Sequence, residues 1–185
     1  MKKGFTMIEL IFVIVILGIL ASVAIPRLAG TREDAEISTA IGNLRTLLSD
    51  AASYYAVKGN FRDAGGTDSA KWKDFTNVPL HVAATNAATN PLGAAIDATT
   101  AAVGTGATAY LAVGGANCIG LHIVEKSGDV PAYIGFTKAS TSGVCAQVIA
   151  KEPVKSFIES KAAGVTLASG VAGAMAIGSN TSIYK

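Results

Sequence analysis

Apolar positions follow three different patterns along the chain. Between residues 5 and 25 they are almost continuous: residues 10–21 carry no polar side chain, and Glu9 is the one charge in the run. As a helix this segment measures roughly 31 Å, the thickness of a bilayer's hydrocarbon core. Between residues 37 and 55 the pattern changes. Ile37, Ile41, Leu44, Leu48, Ala51 and Tyr55 recur at spacings of 4, 3, 4, 3 and 4, which places them on one helix stripe. Glu36, Asn43, Arg45, Ser49 and Asp50 lie opposite, and Lys58-Gly59 supplies a basic last turn with a glycine cap. Such a stripe packs on its own domain.

From residue 60 onward, short apolar stretches alternate with Gly, Asn, Ser, Thr and Pro, a pattern of strands and turns. Strands are predicted at Ala109–Val113, 119–124, 132–136 and 144–150. Residues 76–108, rich in Ala, Thr and Asn, read as loop or short helix, and 152–163 as a short helix with Pro153 in its first turn. Residues 164–185 read as terminal strands and turns. The predicted class is α+β: a long N-terminal helix, membrane-spanning in its first half and amphipathic in its second, packed against an antiparallel sheet.

The two helical patterns meet at Pro26, which should kink or stop the helix. Gly30-Thr31 followed by Asp34 resembles a capped helix start, so a break near residue 30 is an alternative to one continuous helix.

Composition narrows the class. Half of the 185 residues are hydrophobic, which excludes a disordered chain, and only one segment is long enough to cross a bilayer, which excludes a multi-span protein. Fifteen basic residues against 13 acidic give +2, but Lys2 and Lys3 account for all of it; beyond residue 4 the count is 13 against 13. With no long basic run, nucleic-acid binding has no compositional support. The lysines before the apolar run and Arg27 and Arg32 after it give a modest asymmetry that places the N-terminal tip in the cytoplasm.

Three readings compete for residues 5–25. One is a secretory signal cut after Ser22-Val23-Ala24, one a plain anchor, and one an anchor that also assembles. Glu9 favours the third. A carboxylate within an apolar span costs on the order of 2–3 kcal/mol near the helix centre and less near its end, and neither a signal nor a plain anchor gains by carrying one.

The stretch Met1-Lys2-Lys3-Gly4-Phe5-Thr6-Met7-Ile8-Glu9-Leu10 resembles the leader and cleavage site of the type IV pilin and pseudopilin family. The resemblance is close over the first 30 residues and looser to Lys58. It implies that a prepilin peptidase cuts after Gly4 and methylates the new terminus at Phe5. It also implies one long, gently bent helix and an assembly role for Glu9. The physical basis would be a charge pair: cleavage creates an amino group on Phe5, a cation in water at neutral pH, and a carboxylate on a neighbouring subunit is its natural counter-charge. The competing reading bonds Glu9 to its own helix N-terminus, where the dipole favours an anion.

Cys118 and Cys145 are the only cysteines, and the orientation puts both outside the cytoplasm. A disulfide is the natural inference; two buried free thiols or a metal pair are the alternatives. Many type IV pilins carry a disulfide in the C-terminal half, usually with the second cysteine near the chain end, whereas 40 residues follow Cys145.

Other signals are weaker. Gly104-Thr105-Gly106-Ala107-Thr108-Ala109, with Glu125 beyond it, mimics a dinucleotide fingerprint but leads into a strand rather than a helix. His81 and His122 are isolated, and Asp63 and Asp68 lack the closing glutamate of a calcium loop. No acidic residue follows Glu159, so the late calcium site of some major pseudopilins is not implied. No catalytic, cofactor or metal residue is assigned, and no enzyme activity is expected.

The sequence thus divides into a leader (1–4), a transmembrane and assembly helix (5–25), an amphipathic helix (26–59) and a β-rich domain (60–185). The expected function is that of a pilin or pseudopilin subunit of a type IV pilus or type II secretion filament. It would sit in the inner membrane with its C-terminal domain in the periplasm before entering the filament. Its expected partners are like and unlike pilin subunits, the prepilin peptidase and methyltransferase, and the inner-membrane assembly platform. The competing class is a membrane-anchored or secreted periplasmic binding domain or enzyme.

Overall fold

Fifty-two consecutive residues, Met7–Lys58, form one helix, α1, in a computed structural model that describes residues 4–61, 70–83, 92, 94–96, 108–141, 143–161 and 171–177. Of the expected kink or stop at Pro26, the stop does not occur, and neither does the alternative break near residue 30. A proline removes one helical donor, here the one that would serve the Ser22 carbonyl, and the helix continues past that single loss. The hydroxyls of Ser22 and Thr31 donate back to the carbonyls of Ile19 (2.7 Å) and Leu28 (2.9 Å), and Arg32 Nε donates to Glu36 Oε1 at 3.1 Å. Thr31 therefore bonds into the preceding turn instead of starting a new helix. At the other end the Gly59 N–H donates to the Tyr55 carbonyl at 2.7 Å with φ at 73°, the left-handed cap expected for Lys58-Gly59.

Contacts divide the chain into two units, 1–36 and 37–185. In the first, the apolar side chains of α1 are exposed: Phe12 by 65% and Leu20 by 62%. This helix is long and apolar enough to cross a membrane.

The second unit contains a four-stranded antiparallel meander in the order β1-β2-β3-β4, which with α1 bears out the α+β class. Its strands are β1 (Ala109–Val113), β2 (Ala116–Val124), β3 (Tyr133–Lys138) and β4 (Gly173–Ala176). The first three correspond to predicted strands. Gly114 and Gly115, at φ 60° and 76°, join β1 to β2 in the tight turn whose twist suits a hairpin. Leu111 pairs with Ile119 while Ala112 pairs with Asn117, so Cys118 is the extra residue of a β-bulge, a device that bends a strand and re-aims a side chain.

Residues 144–150, expected as a strand, form a helix instead, α3 (Gly143–Ala150); the four-residue α2 is Trp72–Phe75. The reason is periodicity. Cys145 and Val148 are buried, Val144 and Ile149 half-buried, and Ala146, Gln147 and Ala150 exposed. Spacings of one, three and four suit a helix face, whereas a strand would bury alternate residues. The helix predicted over 152–163 is shorter, α4 (Val154–Glu159). Ser160 turns extended, and its hydroxyl donates toward the carbonyls of Phe157 (2.6 Å) and Ala174 (3.0 Å), tying the helix end to β4.

Ile37, Ala40, Leu44, Leu47, Leu48 and Ala51 of α1 join Leu111, Ile119, Leu121, Ile123, Ile134 and Phe136 of the sheet in one core. The predicted stripe is present, with Ile41 and Tyr55 at its margin and Ala40 and Leu47 added to its centre. Beyond the end of α1, Tyr54, Tyr55, Phe61, Trp72 and Phe75 form a connected aromatic cluster with ring centroids 5.4–5.8 Å apart. Phe61 and Ala70 are fully buried, and the Ala70 N–H donates to the Phe61 carbonyl at 2.9 Å.

Candidate functional site

The residues with the most specific chemistry lie at the start of α1. Gly4 and Phe5 precede the helix and are exposed, Phe5 by 91%, so the peptide bond between them belongs to no regular element. Thr6 caps the helix. Its N–H and hydroxyl both donate to Glu9 Oε2, at 2.8 and 2.6 Å, and its hydroxyl oxygen faces the Glu9 N–H at 3.4 Å. This is a reciprocal capping box. Of the two readings of Glu9, the single chain displays the self-bonded one. The cap at Thr6 is not among the sequence expectations, although Thr6-Met7-Ile8-Glu9 before an apolar run is the legible signature of such a box.

Pro26 lies within α1. In the second unit a disulfide joins Cys118 to Cys145 with their Cα atoms 5.1 Å apart, connecting the β-bulge to α3. The free-thiol and metal alternatives do not apply to this structure.

The set-aside signals have structural roles where they are described. Glu125 accepts the N–H of Phe61 and so fastens the loop after β2 to the end of α1. His81 pairs through its backbone with Tyr110 at 2.9 and 2.7 Å. His122 lies over Gly135, its partner in β3, and burial pushes its imidazole pKa below the ordinary value. Among the described residues no group of three His, Cys, Asp or Glu is arranged to hold a metal ion. Asp63, Asp68 and residues 104–107 lie outside the described residues.

The geometry thus defines an α+β chain whose exposed apolar helix begins with an accessible Gly4-Phe5 bond and a capped glutamate. Residues 1–25 match the family described as the prokaryotic N-terminal methylation motif. The chain is 41% identical over 59 residues to type II secretion system core protein G of Pectobacterium carotovorum subsp. carotovorum, covering 32% of this chain and 37% of that one. The same protein of Aeromonas hydrophila is also 41% identical over 59 residues, covering 32% and 41%. Type IV major pilin protein PilA of Myxococcus xanthus (strain DK1622) is 38% identical over 62 residues, covering 34% and 28%. The matched part spans at most about two fifths of these curated relatives. No solved structure matches the chain.

Proposed function

We propose that this chain is a structural subunit of a type IV pilus or type II secretion filament, made as a precursor and cleaved between Gly4 and Phe5. The observation that carries this reading is the conjunction, within residues 4–9, of an exposed Gly-Phe bond and a glutamate at the head of an uncovered apolar helix. The match to the N-terminal methylation motif supports it. Residues 5–25 hold the precursor in the inner membrane with the second unit in the periplasm, and later pack against other copies in the filament core. Pro26 gives α1 a place to bend as it enters the fibre.

In the membrane, the capping box lowers the cost of carrying a carboxylate, because both of its Thr6 donors accompany it. After cleavage, the amino group of Phe5 on a neighbouring copy offers the Glu9 carboxylate a cation in place of a neutral donor, which is the stronger partner. The peptidase, the methyltransferase and the assembly platform are the partners this scheme requires. The periplasmic placement also suits the Cys118–Cys145 disulfide. No step of the role requires catalysis by this chain.

N-terminal sequencing of protein recovered from cells tests the reading. A methylated Phe5 terminus is expected, and either an intact Met1 or a start at Ile25 would overturn it. Glu9→Ala should insert normally yet yield few filaments.

A further inference from the structure

At the corner where β3 ends beside α3 and α4, an open cavity of about 230 Å³ is lined by Lys138, Ile149, Lys155, Ile158 and Glu159 among others. Ile158 is buried and Ile149 half-buried, while the two lysines are exposed at the rim. Neither lysine is in an ion pair among the described residues. Between residues 138 and 161 the chain carries Lys138, Lys151, Lys155 and Lys161 against Glu152 and Glu159, so this corner is locally cationic.

The opposite excess lies elsewhere. Residues 32–36 of α1 carry Glu33, Asp34 and Glu36 against Arg32, which is paired with Glu36, so the segment keeps a net acidic charge, and Glu33 is exposed. At 1.5 Å per residue, Glu33 stands about 12 Å beyond residue 25 along the helix, clear of the hydrocarbon that takes the apolar run. Beyond residue 4 the side-chain charges balance, 13 against 13. A body that is neutral in sum but segregated in charge complements another copy of itself better than it complements a uniformly charged polymer.

We propose that the Lys138–Lys155 cavity receives the acidic segment of α1 from a second copy of this chain, with Glu33 as the side chain it holds. The contact rests on the filament reading above and adds a specific lateral joint to it. The cavity and the acidic segment are different patches of one chain, so each copy offers both halves, and in the filament proposed above the joint repeats from copy to copy as a heterologous contact. Its apolar floor excludes water from beneath the ion pair, which strengthens an interaction that would be weak at a fully exposed surface. Its role is register, since it fixes which copy's α1 lies against which copy's α3–α4 corner.

Charge exchange tests the joint in cells expressing the full chain with its assembly machinery. The double variant K138E/K155E should accumulate in the membrane with its disulfide intact, but its yield of sheared filaments should fall about tenfold. Adding E33K to that double variant should restore most of the yield. As a second readout, Glu33→Cys combined with Lys155→Cys should give disulfide-linked multimers on non-reducing gels, absent from either single variant. An unchanged yield in K138E/K155E, a loss that E33K does not reverse, or the lack of multimers from the cysteine pair would overturn the joint while leaving the filament reading intact. Absence of filaments from the unaltered chain would overturn both.

Discussion

His122 lies across Gly135, its partner on the neighbouring strand, so closely that a methyl group at position 135 would overlap the imidazole ring. The glycine is therefore a seat for the histidine. Gly135→Ala should lift the ring off the sheet, destabilise the domain by about 1 kcal/mol and return the His122 pKa toward its ordinary value. An NMR titration of the two variants reads both the shift and its sign.

The same residue makes stability depend on pH. Burial holds the folded-state pKa of His122 below the ordinary 6.5, so the unfolded chain takes up the proton first. Stability from this group is present above that value and falls as pH drops below it, levelling once the folded form also protonates. Denaturant melts between pH 8 and pH 5 should show this loss, and His122→Asn should reduce it. A pH profile identical in the variant would remove His122 as its source.

Gly173 provides a contrast. A methyl group there would meet the carbonyl of Ile158, which is backbone in α4 and cannot rotate away. Gly173→Ala should cost about 2–3 kcal/mol, more than Gly135→Ala. Parallel chemical denaturation of the two variants checks the order.

Replacing Cys118 and Cys145 by serine should lower stability by about 3–4 kcal/mol in the chain-entropy model, because the bridge closes a loop with 27 residues of separation. α3 and α4 should lose more amide-exchange protection than β2 and β3. Uniform loss across the sheet would show that the bridge stabilises the whole unit and not that corner.

Thr6→Ala should remove the hydroxyl that donates to the Glu9 carboxylate and faces the Glu9 N–H, leaving only the backbone N–H on that carboxylate, and destabilise the first turn of α1 by about 1 kcal/mol. Amide exchange at residues 7–10 in detergent should accelerate, whereas Thr6→Ser should behave as the parent.

Much of this architecture was readable from spacing alone. The stripe from Ile37 to Tyr55 and the strand Ala109–Val113 follow their periods of 3.6 and 2, and Lys58-Gly59 marks the helix end. Residues 144–150 were misread because Val144, Val148 and Ile149 are β-branched and so suit strands, while the helical signal depends on which neighbours Cys145 and Val148 face, information held in the tertiary fold. Helix α1 passes Pro26 because one proline removes a single donor from a helix of 52 residues, and the residue type alone does not tell a bend from an end. At the start of α1, Gly4, Phe5 and Glu9 are legible as a motif, and Thr6-Met7-Ile8-Glu9 is equally legible as a capping box, though the charge in the apolar run draws attention first. The bulge at Cys118 arises from a one-residue slip between strands, which no single strand encodes.

The hydrogen bond from Ala70 to Phe61 brings the chain back to the point it left, with both anchor residues fully buried. A backbone bond between two residues with no exposed surface is shielded from water, so its amide proton exchanges only when the core around it opens. The Ala70 amide thus times the opening of the aromatic cluster to which Phe61 belongs, a clock that a single exchange experiment reads.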